Sequence, residues 1–392
     1  MTDLQAYVIA LIKAALTGEC ALPQITPDWG KIVEAVRQHQ VFSIAYYGAV
    51  NAGIDIPEPY RSALEKYTFQ GLAIDQYQIY AIQTLEKEFT DNQLDYMLLK
   101  GSLLKFVYPQ TDMRTMGDVD ILIRGTQYAE IAPIMERLGY TFAAETSHDY
   151  EWNGKFAHVE LHKSLIPPQN ADFYSYFGSG WDKAIGQAGN PFAFTLTDEE
   201  QLIYLFAHFV KHYRSSGIGL RHMTDLWVFR AAHPELDENR VLQALQKMEL
   251  DVFYRHVSET LDNWFAGKPA TEVTDFITAY VFESGAYGVN KNRMIFNEAI
   301  RGGAGGAGQV RMRHIFRMAF PSLSAMQRAY PILKRCPLLL PFVWVARWFK
   351  GLFFKRDRFK QEFEHLNYFS AEDIDRQKRD LAFVGLKYNF KE

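Results

Sequence analysis

The sequence predicts an α+β protein: a small mixed-sheet unit embedded in a mostly helical chain. Three observations predict it. Apolar residues recur at helical spacing over 4–16, 32–50 and 60–89, and again after residue 197. Between these regions the texture changes to short apolar runs and period-two alternation, the pattern of strands. Proline and glycine punctuate the changes, at Pro23, Pro27, Pro57, Pro59, Gly101 and Gly139.

Taken in order, residues 1–90 read as an N-terminal helical region. Residues 91–165 read as a mixed α/β core. Tyr96-Met97-Leu98-Leu99 suits a buried strand ending at Gly101, and 102–107 suit one or two helical turns. Val119-Asp120-Ile121-Leu122-Ile123 alternates as a strand does, 126–138 form a helix stopped by Gly139, and 140–144 and 157–162 are further strands. After Pro167-Pro168 the chain reads as loop to about Pro191. Thr197 then caps a helix, with Glu200 at the capping-box position, and residues 166–300 read as a helical domain that completes a cleft. Residues 301–392 form a basic C-terminal region. It opens on the glycine-rich run 301–308, which lacks the GK[ST] ending and the preceding strand of a phosphate loop.

Composition bounds the function. The 392 residues carry a net charge of −4 and are 48% hydrophobic, enough for a real core and too apolar for a disordered chain. No run of ~18 uncharged apolar residues is present, so no spanning helix is expected. The two cysteines, Cys20 and Cys336, are too few for a disulfide framework or a zinc site. A cytoplasmic protein is expected, either free or peripheral at the inner face of a membrane. Charge is uneven: residues 301–360 hold thirteen Lys/Arg and one acid, Asp357. Such a block fits an anionic partner or the acidic remainder of its own fold. Within it, 340–358 place Phe342, Val345, Trp348, Phe349, Leu352 and Phe353 on one helical face and Arg347, Lys350, Lys355 and Arg358 on the other. That pattern suits an anionic lipid surface and equally a helix docked on a core; nucleic acid is the less favoured partner.

Three segments carry the chemistry: Leu99-Lys-Gly-Ser-Leu103, Arg114-Thr-Met-Gly-Asp-Val-Asp120 and His158-Val-Glu-Leu-His162. Asp118 and Asp120 are two apart on a strand, so both carboxylates project from one face. Like charges that close call for a cation between them, and open carboxylates suit Mg²⁺ or Mn²⁺ shared with substrate phosphates. Glu160 on a neighbouring strand would supply a third carboxylate; Glu145, Asp149 and Glu151 are its rivals. Gly101 and Ser102 open a helix after a strand, where backbone N–H groups can hold phosphate, with Lys100 and Arg114 adding positive charge.

These residues resemble the DNA polymerase β-like nucleotidyltransferase superfamily, and within it a bacterial branch of uncharacterised nucleotidyltransferases. The resemblance rests on Lys100-Gly101, Tyr108-Pro109, Arg114, Gly117-Asp118-Val119-Asp120, Glu160-Leu161-His162 and Gly219-Leu220-Arg221-His222-Met223-Thr224-Asp225. Fifteen residues separate Ser102 from Asp118, more than the superfamily's usual spacing. The resemblance implies a nucleotidyltransferase core and transfer of a nucleoside monophosphate from an NTP to an acceptor hydroxyl. Asp118, Asp120 and Glu160 would ligate two metal ions, while Lys100, Gly101, Ser102 and Arg114 would bind the nucleotide. Acceptors that fit are a sugar, another small molecule or a peptide. His162, His208, His212, Arg221 and Asp225 are pocket candidates. His162 reads equally as a core histidine, Arg221 and Asp225 as a helix ion pair, and His208/His212 as cleft lining without the glutamate of a zinc motif. Aromatic residues over 140–181 suit base stacking or ordinary packing. A nucleotide-binding regulatory module without turnover, and a peripheral membrane protein of glycan or secondary-metabolite assembly, are the alternative readings.

Overall fold

In the computed structural model, alternation within the strands decides which side chains reach the cleft. The structure describes residues 1–286, 332–354 and 371–387, with scattered positions at 288 and between 312 and 330. The α+β class predicted from the sequence holds.

Four N-terminal helices come first: α1 Asp3–Thr17, α2 Trp29–Gln38, α3 Phe42–Asn51 and α4 Tyr60–Asp91. The single helix expected over 32–50 is two helices. Gln40 takes a left-handed φ of 54°, which breaks the helical path between α2 and α3. The core follows as β1 Tyr96–Leu98, α5 Lys100–Leu104, β2 Asp118–Ile123, α6 Tyr128–Arg137, β3 Thr141–Glu145, β4 Asp149–Asn153 and β5 His158–His162. Then come α7 Ala171–Phe177, β6 Ile185–Gln187 and β7 Asn190–Thr195. The stretch expected as loop to Pro191 therefore holds a helix and most of a hairpin. The strands form one seven-stranded sheet in the order β3-β4-β5-β2-β1-β7-β6. β2 runs parallel to β5, and β1 parallel to β7; the other neighbours are antiparallel.

The two faces of the sheet are buried differently. Val119, Ile121 and Ile123 of β2, and Val159 and Leu161 of β5, pack with Ile82, Leu85 and Phe89 of α4 and Ile131, Ile134 and Met135 of α6. Full burial of each such side chain contributes ~1.5–3 kcal/mol. The opposite register of the same strands, Asp118, Asp120, His158, Glu160 and His162, must then face the other way. On that side stand helices α8 Asp198–Ser215, α9 Leu220–Ala232, α10 Glu238–Lys247, α11 Asp251–Phe265 and α12 Glu272–Ser284. Their core, including Phe206, Phe209, Met223 and Phe253, continues into Met97, Leu99 and Leu122 of the sheet. Thr197 caps α8 by accepting from the Glu200 N–H, but only half of the expected capping box forms. The Glu200 carboxylate receives the Tyr176 hydroxyl at 2.9 Å and Lys183 at 3.1 Å instead.

Among the described residues, three further helices, α13 Ile332–Arg335, α14 Leu340–Phe354 and α15 Ala371–Phe383, belong to the C-terminal region. In α14, Phe342 and Val345 are exposed, whereas Trp344 and Trp348 pack edge-on against Phe320. The glycine run 301–308 and the expected basic residues Lys355 and Arg358 lie outside the described residues. Among the described residues no helix is long and apolar enough to cross a membrane.

Candidate active site

Parallel pairing of β2 with β5 puts Asp120 directly beside Glu160, and Asp118 beside His158. Asp118, Asp120 and Glu160 line a cleft of about 670 Å³ between the sheet and helices α8 and α9. Burial, then the charges of Glu160 and Asp120, raise the pKa of Asp118. Asp120 behaves oppositely. Burial pushes its pKa up, but Lys100 and His162 outweigh burial and hold it low. The Lys100 Nζ and the His162 Nε2 each lie 2.7 Å from the Asp120 Oδ1. His162 Nε2 is also 3.4 Å from the Glu160 carboxylate, and its Nδ1 is 3.0 Å from His148 Nε2. Burial and neighbouring His162 drive the pKa of His148 down to about 2, so His148 is neutral. A neutral His148 donating from Nε2 leaves His162 to donate from its own Nε2 to Asp120, which orients both rings.

The turn from β1 into α5 is shaped by its neighbours. Lys100 holds a left-handed φ of 47°, a strained backbone for a residue with a side chain. A Cβ on Gly101 would come within 2.6 Å of the Arg114 guanidinium, so only glycine lets that side chain cross. Arg114 donates to both oxygens of Asp225 at 3.1 and 2.8 Å, and Tyr108 donates to the same carboxylate at 2.8 Å. Arg114 and Arg221 both donate to the Thr115 carbonyl, at 2.9 and 3.1 Å. The loop that leads into Asp118 is thereby clamped from two sides. Below it, Lys105 is fully buried against Asp75 of α4 at 2.7 Å, and Gln78 donates to the Met116 carbonyl at 2.9 Å. Gly219, at the start of α9, approaches the chain at Gly285 so closely that a Cβ would lie 2.8 Å from backbone atoms.

The structure brings together nearly all of the sequence-predicted residues. Lys100, Gly101, Arg114, Asp118, Asp120, Glu160, His162, His208, His212, Arg221 and Asp225 all line the cleft. Ser102 does not line it. Its side chain is fully buried, and its hydroxyl accepts the Asp120 N–H at 2.8 Å, fastening α5 to β2. His208 and His212 stack edge-on 4.5 Å apart, with His222 5.8 Å from His212. Burial keeps all three imidazoles neutral, with the pKa of His212 at about 3. Among the described residues, the groups able to hold a metal ion include neither His208 nor His212. Those groups are Asp120/Glu160/His162, Asp118/His158/Glu160 and His148/Asp149/His162. Of the rival carboxylates, Asp149 lines the cleft, while Glu145 pairs with Lys163 at 2.7 Å. None of the aromatic residues between 140 and 181 lines the cleft; Trp152, Phe173 and Phe177 are core.

His148 and Lys211 line the cleft without having been singled out from the sequence. A signal for Lys211 exists. His208, Lys211, His212 and Ser215 recur at i, i+3, i+4 and i+7 on α8, a polar stripe on an otherwise buried helix.

A family described as an uncharacterised nucleotidyltransferase matches residues 26–266. Among solved structures, the antibiotic-resistance factor ANT(2'')-Ia is similar at 14% identity and a TM-score of 0.32, over 50% of this chain and 100% of that one. No curated protein matches the chain.

Proposed function

The chain belongs to the uncharacterised nucleotidyltransferase family, and on that premise we propose that it moves a nucleoside monophosphate from an NTP to an acceptor hydroxyl. The observation that carries this reading is the shared face of Asp118, Asp120 and Glu160, opening into the cleft beside the Lys100-Gly101 turn. In the reaction the acceptor oxygen bonds to the α-phosphorus, the bond from that phosphorus to the bridging oxygen breaks, and pyrophosphate leaves.

The donor set fits a hard divalent cation. Glu160 offers a carboxylate oxygen within 4.8 Å of one on Asp118, in a group with His158, and within 4.8 Å of one on Asp120, in a group with His162. Burial and then the charges of Glu160 and Asp120 raise the pKa of Asp118, so a cation beside that carboxylate would be favoured, whereas Asp120 already has Lys100. Mg²⁺ or Mn²⁺ would be held by these three residues and would neutralise charge on the transferring phosphate. The chain's own contributions are positional. Gly101 and the strained Lys100 turn give the triphosphate a close approach, and Lys100 supplies a cation beside it. Glu160 stands where it favours loss of the acceptor proton. His162 orients Asp120, and the Arg114–Asp225 pair fixes the loop that delivers Asp118.

The test is pyrophosphate release from each of the four NTPs with Mg²⁺, with sugars, peptides and water as acceptors. Wild type is expected to release it with at least one NTP, and Asp118→Asn to lose at least ~10²-fold of that rate. An Asp118→Asn protein as active as wild type would overturn the mechanism. For a peripheral contact with an anionic lipid surface, the support is the exposed Phe342 and Val345 of α14 within a basic stretch of sequence. Sedimentation with phosphatidylserine vesicles tests it: Phe342→Ser/Val345→Ser should reduce the bound fraction, and an unchanged fraction would exclude that contact.

A further inference from the structure

Strands β4 and β5 pair so that Asp149 stands directly opposite His162. Residues opposite one another share a face of the sheet, and both side chains line the cleft. Both are buried. His148, just before Asp149, lines the same cleft. Each of these three residues offers a ligand atom within 4.8 Å of the other two. Their chemistry sets them apart among the described residues. The other two candidate groups hold two carboxylates and one imidazole each, whereas this one holds two imidazoles and one carboxylate. Oxygen-rich sets suit Mg²⁺, and sets with imidazole suit Zn²⁺ and its neighbours in the first transition row.

The partners that orient metal ligands are also built. A histidine on a metal donates its other ring N–H to a carboxylate in most sites, and a ligating carboxylate is itself hydrogen-bonded. His162 Nε2 lies 2.7 Å from the Asp120 Oδ1, which makes Nδ1 the nitrogen with the lone pair. That Nδ1 faces His148 Nε2 at 3.0 Å. The Thr146 hydroxyl donates to the Asp149 carboxylate and accepts the backbone N–H groups of His148 and Asp149 at 3.0 and 3.1 Å. One turn therefore fixes both residues. His148 Nδ1 is shut off from solvent and has no hydrogen-bond partner among the described residues. Only the contact with His162 thus decides where the His148 proton sits. With that proton on Nδ1, two lone pairs face each other, at a spacing that lets both nitrogens bond one cation at ~2.0–2.1 Å. The cleft also accommodates added positive charge, since five carboxylates line it against four Lys and Arg side chains.

We propose that His148, Asp149 and His162 bind a divalent transition-metal ion of the Zn²⁺ type, beside the hard-cation site of Asp118, Asp120 and Glu160 and distinct from it. Asp120 links the two sites: it accepts from His162 at one and offers a carboxylate to the other. Three protein ligands leave a fourth position for water or a substrate oxygen from the cleft. This inference does not depend on the nucleotidyltransferase reading.

The experiment is calorimetry on the untagged full chain, freed of metal by a chelator and kept in millimolar Mg²⁺ so that competing carboxylates are occupied. Zn²⁺ is the probe. Wild type is expected to bind it, and Asp118→Asn to bind it as wild type does. His148→Ala should bind it at least ~10²-fold more weakly, more than the loss of an orienting partner alone costs. Zinc-edge X-ray absorption of the loaded wild type should show back-scattering from two imidazoles. In His148→Cys, which exchanges one ligand for another, the ion should be retained with one imidazole and one sulfur. Urea unfolding of the metal-free chains checks that His148→Ala is folded; the X-ray absorption of wild type and His148→Cys decides the matter if it is not. The proposal is overturned if Zn²⁺ fails to bind in Mg²⁺, if fewer than two imidazoles surround it in wild type, if no sulfur reaches it in His148→Cys, or if folded His148→Ala binds it as wild type does.

Discussion

Asp120 has two duties, and its surroundings separate them. Its carboxylate meets Lys100 and His162, while its backbone N–H is held by Ser102. The sequence marked the backbone N–H groups of Gly101 and Ser102 for phosphate because they open a helix after a strand; in the structure the Ser102 N–H donates to the Leu99 carbonyl at 3.0 Å, and its hydroxyl accepts the Asp120 N–H. Asp225 shows the reverse. Its i, i+4 relation to Arg221 suggested a local helix pair, yet both its oxygens are taken by Arg114, 111 positions away in sequence. No local pattern can reveal such a partner. Because the Arg114–Asp225 pair is buried, removing one charge strands the other. Asp225→Asn should therefore lose ~3–5 kcal/mol in urea unfolding, whereas breaking a fully exposed pair such as Arg37–Glu34 should leave stability nearly unchanged. Equal losses at the two sites would mean that the clamp is not held by that pair.

At the scale of elements, much of the core was legible because its strands bury one face. Val119, Ile121 and Ile123 alternate with Asp118, Asp120 and Leu122, so period two gave both the strand and the orientation of its carboxylates. The elements that escaped notice lack that contrast. β4 reads Asp-Tyr-Glu-Trp-Asn, polar at every second position with only Trp152 deeply buried among its apolar residues. β6 is three exposed residues, and β7 contains Pro191 beside a register irregularity, where a missing N–H costs no ladder bond. The α2–α3 break turns on one left-handed residue, Gln40, in a run with unbroken helical spacing. The capping of α8 gives an element-scale prediction. Thr197 satisfies the Glu200 N–H, so Thr197→Ala should cost ~1 kcal/mol. Glu200→Gln should act differently, by loosening Tyr176 and Lys183 from the α7–β6 region. Amide exchange there would rise in Glu200→Gln but not in Thr197→Ala; equal exchange in the two variants would contradict the separation.

Over the whole molecule, the cleft gathers histidines that burial keeps neutral: His148, His208, His212 and His222, with His39 nearby in the helical core. Their folded pKa values lie below the usual 6.5, with His39 at about 4 and His212 at about 3. The unfolded chain therefore takes up protons first as pH falls. Their stabilising effect is complete above pH ~6.5 and is lost as pH drops toward the folded values. Each such proton contributes up to ~1.4 kcal/mol per pH unit. Asp118, with its raised pKa, acts in the opposite direction but only near the carboxylate range. Urea unfolding should therefore show a marked loss of stability between pH 7 and pH 5, smaller in His212→Asn. A flat profile over that window would contradict the neutral-imidazole cleft. The sequence showed the histidines of α8 and α9 but not the burial that keeps them neutral, which arises only when α8, α9 and the sheet close on one another.

The central claim, that the shared face of Asp118, Asp120 and Glu160 is a metal-dependent nucleotide site, is tested most directly by thermal unfolding. ATP, GTP, CTP and UTP would each be titrated with and without Mg²⁺ on wild type and on Asp118→Asn/Asp120→Asn. A ligand at ~100 times its dissociation constant adds ~2.7 kcal/mol of stability, a plain rise in melting temperature. The account predicts such a rise for wild type with at least one NTP, only when Mg²⁺ is present, and none for the double variant. No rise with any nucleotide, or an equal rise in the double variant, would contradict it.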